Sequence, residues 1–261
     1  MMNIHLLTRD MTCNRPCQTL CKALLVLFLF YGGLQAQAIV PEKQFEMVEV
    51  ITRDKPVPRP FYFDKTGTPR GGVILLHEPG GKSRDIANIA YYLSDHGWST
   101  LVLEMGLPAG EPQEGAIGYL SDSLLAAISF MQQQKGQYNL VTIALSNSWP
   151  LLLDIMARDG WDNDLIQAYI SLDSASEMSL QTLPPERPIL DLVTGRQEQA
   201  AQQERRIQAR RFKLQNYTPL IMKPPVFLEY LHEDRLTRRL RGWLQTHVQG
   251  IEVDLKNLQS P

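Results

Sequence analysis

From Phe45 onward, short runs of apolar and β-branched residues alternate with stretches whose apolar positions recur every three to four residues. The first pattern suits a buried strand and the second one face of a helix. Strands are expected at Phe45 to Thr52, Phe61 to Phe63, Val73 to His77, Ser99 to Glu104, Asn139 to Leu145, Ile166 to Asp173, Ile189 to Thr194 and Tyr217 to Met222. Val73 to His77 is the most continuously apolar of the early strands and is expected at the sheet centre. Helices are expected at Arg84 to Asp95, Tyr119 to Gln134, from Ser148 to Gly160, at Glu198 to Lys213 and at Glu233 to Val248. Each helix carries its own apolar stripe, for example Ile86, Ile89, Ala90 and Leu93 in the first and Leu236, Leu240, Trp243 and Leu244 in the last. The alternation βαβα implies an α/β fold, a mostly parallel central sheet with helices on both faces, in a single domain. A Pro/Gly-rich loop from Gly106 to Gly118 is long enough to roof a pocket.

Residues 1–38 follow a different pattern. Arg9, Arg15 and Lys22 precede an apolar run from Ala23 to Leu34, and Ala36-Gln37-Ala38 follows it. Basic region, short apolar region and small-x-small site are the parts of a secretory signal, so Ile39 is the expected first residue of an exported, periplasmic form of residues 39–261. The apolar run is short and holds Gly32-Gly33, whereas a spanning helix needs about 20 apolar residues, so no stable membrane anchor is expected after cleavage. Cys21 precedes the apolar run, the wrong order for a lipidated cysteine.

Removing this segment changes what chemistry is available. All three cysteines, Cys13, Cys17 and Cys21, lie in it, so disulfides, thiol catalysis and cysteine-bound metal are excluded from the remainder. Its three basic residues and single acidic residue, Asp10, make the remainder more negative than the formal −2 of the whole chain. Nucleic acid is not an expected partner. No cofactor is expected either: the first βα turn lacks G-x-G-x-x-G, and no glycine loop with a lysine is present to cradle phosphate.

In an open parallel sheet the strand C-termini collect the site. After Val73 to His77 comes Glu78-Pro79-Gly80-Gly81, a tight turn whose backbone N–H groups at Glu78, Gly80 or Gly81 could meet a developing oxyanion. The same residues also read as a plain strand-to-helix turn. After Asn139 to Leu145 comes Ser146-Asn147-Ser148. A nucleophile elbow needs small residues two positions either side of its serine, because strand and helix nearly touch there. Ala144 and Ser148 meet that need, and the N–H of Asn147 becomes a second oxyanion donor. Asn147 or Ser148 could equally be an ordinary helix N-cap, with Pro150 in the first turn.

Enzymes with such an elbow order their triad as serine, acid, histidine. His77 and His96 precede Ser146, and His247 lies inside the last helix. His232 alone falls in a loop between the last strand and the last helix, which makes it the candidate general base. Glu198, just after the strand ending at Thr194, is the first choice of acid and Asp173 the second; Asp191 lies mid-strand and should point elsewhere. Alternatively, His232-Glu233-Asp234 is simply the acidic start of the last helix. The arginines Arg235, Arg238, Arg239 and Arg241 read as a solvated helix face, with contact to anionic lipid the competing reading.

Gly72 to His77, His96-Gly97-Trp98-Ser99-Thr100-Leu101, Arg187 to Leu192 and above all Leu236 to Leu244 resemble exported bacterial proteins of the α/β-hydrolase superfamily whose domain has no assigned function. The resemblance spans roughly 70–247 and implies the α/β-hydrolase fold outside the cytoplasm, with no settled substrate. Two functions follow. One is a serine hydrolase of an ester or other acyl substrate, with Ser146, His232 and Glu198 catalytic. The other is a binding or scaffold protein that keeps the fold and its cleft without turnover.

Overall fold

The computed structural model describes residues 45–81, 83–107, 115–176, 179–223 and 234–250. The segment read as an export signal, His232, and the middle of the Gly106 to Gly118 loop lie outside these residues. Eight strands form one sheet: β1 Glu46–Thr52, β2 Lys55–Tyr62, β3 Gly71–His77, β4 Trp98–Glu104, β5 Leu140–Leu145, β6 Ala168–Leu172, β7 Ile189–Val193 and β8 Tyr217–Ile221. Their spatial order is β1-β2-β4-β3-β5-β6-β7-β8. The β1/β2 and β2/β4 pairs are antiparallel and every other pair is parallel.

Among the described residues, five α-helices cover the sheet: α1 Ser83–Ser94, α2 Ala116–Ser129, α3 Ser148–Met156, α4 Arg196–Arg211 and α5 Arg235–His247. A wider π-helical turn, Phe130–Gln134, continues α2. Alternation along the strands assigns side chains to two cores. Ile74 and Leu76 of β3 join Leu124, Trp149 and Ala209 from α2, α3 and α4. Val73 and Leu75 join Ile89, Leu93, Leu236 and Leu240 from α1 and α5 on the other face. Each strand side chain points opposite to the next, so a run buried at every position, as in β3 up to Leu76, needs helices above and below.

Element boundaries follow the sequence pattern to within a few residues, with one exception. β2 was expected only at Phe61 to Phe63 and instead starts at Lys55 and ends at Tyr62. Pro56, Pro58 and Pro60 look like breakers but stand at alternate positions, so their nitrogens all face the same side of the strand. β1 pairs along the whole of β2, whereas β4 joins it only at Phe61 and Tyr62. The side toward β4 needs no donors at the prolines, and the strand survives them.

β7 carries one polar group inward. Asp191 is 1% exposed and receives a two-pronged ion pair from Arg205 of α4, Nε to Oδ2 at 2.8 Å and Nη2 to Oδ1 at 2.9 Å. The hydroxyl of Tyr217 also donates to Asp191. Mid-strand placement therefore turns Asp191 into a structural anchor for α4, in keeping with its expected orientation away from the site.

Candidate active site

β3 sits where the chain reverses its direction across the sheet, flanked by β4 and β5, and such switch points open a crevice at the strand ends. Leu76 pairs with Ala144, Leu145 with Leu172 and Leu172 with Leu192. That register sets the residues after β3, β5 and β6 side by side. His77, Glu78, Gly81, Asp85, Ile86, Leu145, Ser146, Leu172 and Asp173 line one cavity of about 190 Å³ there.

Ser146 is bent into the left-handed region, φ 48°, a conformation that costs an L-residue roughly 1–2 kcal/mol. Its own N–H still extends the ladder to Leu172 O at 2.8 Å, so the bend comes abruptly after the last sheet bond. Ala144 and Ser148 on either side are fully buried, as the close passage of β5 and α3 demands. The reading of this segment as an ordinary cap does not hold. Asn147 occupies the cap position, but its side chain makes no cap hydrogen bond, and Ser148 Oγ has no partner among the described residues.

Asn147 Nδ2 instead donates to Glu78 Oε2 at 2.8 Å, tying the end of β3 to the start of α3. This tether fixes the position of the Glu78 carboxylate beside the cavity. The backbone N–H groups of Glu78 and Asn147 have no hydrogen-bond partner among the described residues. Gly81 N–H, by contrast, closes the turn onto Glu78 O at 3.0 Å, with Gly80 at φ 71° supplying the positive dihedral of the turn. Gly80 is exposed at the turn apex and does not line the cavity. Of the four expected oxyanion donors, Gly81 is engaged in the turn, while Glu78, Gly80 and Asn147 have backbone N–H groups without a partner among the described residues; Glu78 lines the cavity, and Gly80 and Asn147 are exposed beside it.

His77 Nδ1 lies 2.9 Å from Glu78 O, which makes Nδ1 the protonated nitrogen, since a carbonyl only accepts. His77 and Asp85 line the cavity without having been singled out in the sequence; a fixed place at the end of β3 was the available signal for the first, and one helical turn past Gly81 for the second.

The structure separates the two acid candidates. Asp173 lines the cavity with Ser146 and, like it, is held at positive φ, 53°. Its two carboxylate oxygens accept from Thr194, Oδ1 from the backbone N–H at 2.6 Å and Oδ2 from Oγ1 at 2.9 Å. Glu198 is not among the cavity-lining residues. Its carboxylate folds back into the space a Cβ on Gly195 would fill, against the cap residue of its own helix α4. An acid in the third helical position is drawn there by the unpaired N–H groups of the first turn. At the start of α5 the acid is the cap residue itself: Asp234 Oδ1 accepts from Thr237 N at 2.7 Å and Oδ2 from Asn88 Nδ2 at 2.9 Å, which supports a helix-start role for Asp234. Among the described residues no group of three His, Asp or Glu side chains is placed to hold a metal ion.

Sheet order, two-sided helix cover and a strained serine at the β5/α3 bend define the α/β-hydrolase fold. Solved structures with the same fold include dienelactone hydrolase from Anabaena variabilis, 17% identical with a TM-score of 0.57 over 79% of this chain and 99% of that one. Est1E from Butyrivibrio proteoclasticus is 13% identical with a TM-score of 0.55, covering 79% and 99%. XC6422 from Xanthomonas campestris, described as an a/b serine hydrolase without lid, is 15% identical with a TM-score of 0.53, covering 84% and 98%. The chain belongs to the family described as "Protein of unknown function (DUF3530)", which it matches over residues 111–246. A search of curated proteins gave no match.

Proposed function

We propose that this protein is a serine hydrolase acting on a small-molecule ester or other acyl substrate. The observation that carries the reading is Ser146 itself: a non-glycine residue in left-handed conformation, at the switch-point cavity it shares with Glu78 and next to Asn147, two residues whose backbone N–H groups have no partner among the described residues. Backbone strain of that kind persists only where surrounding structure enforces it, and it serves to present a side chain. The solved structures of similar fold include enzymes named as esterases and hydrolases, which agrees with the reading.

In the proposed reaction Ser146 Oγ attacks the carbonyl carbon and His232 takes its proton. The oxygen of the tetrahedral intermediate lies against the N–H groups of Glu78 and Asn147. His232 then protonates the leaving alcohol or amine, and a water molecule repeats the sequence on the acyl-enzyme. Asp173 orients the imidazole in this scheme. It replaces Glu198 as first choice because Asp173 shares the cavity with Ser146, while Glu198 is engaged at its own helix start. His232 enters on its place in the chain, after β8 and before α5.

A fluorophosphonate ester tests this reading. The purified protein should acquire one adduct, located by peptide mass spectrometry at Ser146, and Ser146→Ala should acquire none. Absence of an adduct under conditions that label a control esterase refutes hydrolysis and leaves a binding role for the cleft. We also propose that the protein is exported, on the strength of the basic, apolar and Ala-Gln-Ala pattern of residues 1–38; N-terminal sequencing of the protein from periplasmic extract should begin at Ile39, and an intact Met1 terminus would refute it.

A further inference from the structure

A second concavity, unrelated to Ser146, runs between the edge strand β8 and helix α5 and encloses about 1070 Å³. This exceeds the range of about 300–1000 Å³ usual for small-molecule sites. Its floor is apolar, from Leu190, Leu220, Met222 and Trp243. Four cations line it as well, Lys223, Arg235, Arg238 and Arg239, and among the described residues no acidic side chain does. All four are exposed, and none makes an ion pair among the described residues. In a chain of negative net charge this is a local concentration of positive charge.

The charges are not spread evenly along the groove. Val248 O and Gln249 Oε1, just past α5, accept from Asn139 and Arg70 at the starts of β5 and β3, so α5 runs against the direction of the parallel strands β5 to β8 and Lys223 and Arg235 lie toward the same end. From Arg235 to Thr246 the helix advances about 16 Å at 1.5 Å per residue. Arg235, Arg238 and Arg239 occupy its first half, and Gly242, Trp243 and Thr246, all uncharged, line the second. A ligand that fits carries negative charge at one end and an apolar chain behind it. An acidic peptide, charged along its length, fits less well, and a strand added to the sheet would use the backbone edge of β8 rather than this side-chain face.

Gly242 supplies an independent sign that the space is kept open. Glycine is the least favourable helix residue after proline, yet it stands inside α5, and a Cβ built on it meets nothing within 4 Å. Neither packing nor dihedral angle demands a glycine there, while a larger side chain would project into the groove.

We propose that the groove between β8 and α5 binds a phosphate-bearing amphiphile, its phosphate held by the arginine cluster and its single alkyl chain on the Leu190, Leu220, Met222 and Trp243 floor. Guanidinium groups suit this role because they pair with phosphate oxygens two at a time.

The test uses hexadecyl phosphate below its micellar concentration, a probe with no carboxylic ester for Ser146 to cleave, titrated into the purified full chain by calorimetry. Saturable binding is expected, at least tenfold weaker for hexadecylphosphocholine, whose headgroup is zwitterionic. Arg235→Gln with Arg239→Gln should weaken binding at least tenfold. Gly242→Leu should abolish it while leaving the melting temperature unchanged or raised, which separates a blocked groove from a misfolded protein. Equal affinity for the two lipids, full displacement by inorganic phosphate or by a glutamate-rich peptide, or wild-type binding by Gly242→Leu would each overturn the proposal.

Discussion

Replacing Ser146 by glycine should make the protein more stable than replacing it by alanine, the reverse of the usual order. At a position of ordinary backbone conformation, glycine is worse than alanine by roughly 0.5–1 kcal/mol, because it gains more freedom on unfolding. Ser146 stands at φ 48°, where an L-residue pays roughly 1–2 kcal/mol and glycine pays nothing. The difference between the two effects leaves Ser146→Gly ahead of Ser146→Ala by about 0.75 kcal/mol at the midpoints and by at most about 1.5 kcal/mol. Both variants lack the hydroxyl, so its loss cancels in the comparison. For a folded unit of this size about 1 kcal/mol corresponds to roughly 2–4 °C in melting temperature. Urea unfolding followed by circular dichroism, with thermal melts in parallel, measures the difference, and labelling by a fluorophosphonate should be lost in both variants. If alanine proves equal to or more stable than glycine, Ser146 is not held in the left-handed conformation and the elbow argument fails with it.

Three further outcomes follow from the described contacts. Arg205→Met should destabilise the protein by about 3–5 kcal/mol, because it leaves the Asp191 carboxylate buried without its partner; adding Asp191→Leu should restore much of that loss, and a single variant as stable as wild type in urea would refute the buried pair. Asp234→Ala removes both the cap on Thr237 N and the link to Asn88 and should cost about 1–2 kcal/mol, read from the urea midpoint, with a loss under a few tenths contradicting the assignment. Burial, and then the adjacent Asp191 charge, raises the Tyr217 phenol above its ordinary value. The folded state therefore holds this proton after the unfolded chain has released it, so stability falls as pH rises above about 10, by up to about 1.4 kcal/mol per pH unit. Tyr217→Phe should flatten that decline between pH 9 and 11, and an unchanged slope would refute the cause.

The buried pair also shows how two residues with the same chemistry acquire different roles. Asp173 and Asp191 are both aspartates on or just after central strands. The bend after β6 places Asp173 at the cavity, bonded to Thr194, whereas Asp191 is locked inside by α4. One position lines the cavity with Ser146 and the other is enclosed in the core.

The sequence by itself determined the elements, their βαβα order and the small residues around Ser146, because strand and helix periodicity and the steric needs of a tight bend are local properties. It also exposed the run of arginines on the last helix. Only the tertiary structure decided that alternate prolines leave β2 intact, that Glu78 is tethered to Asn147 69 positions away, that Asp173 rather than Glu198 shares the cavity with Ser146, and that the arginines border a groove with β8. The physical reason is common to all four. Each depends on which strand lies beside which and in what register, and a chain's local pattern fixes the face a side chain takes but not the neighbour it meets there.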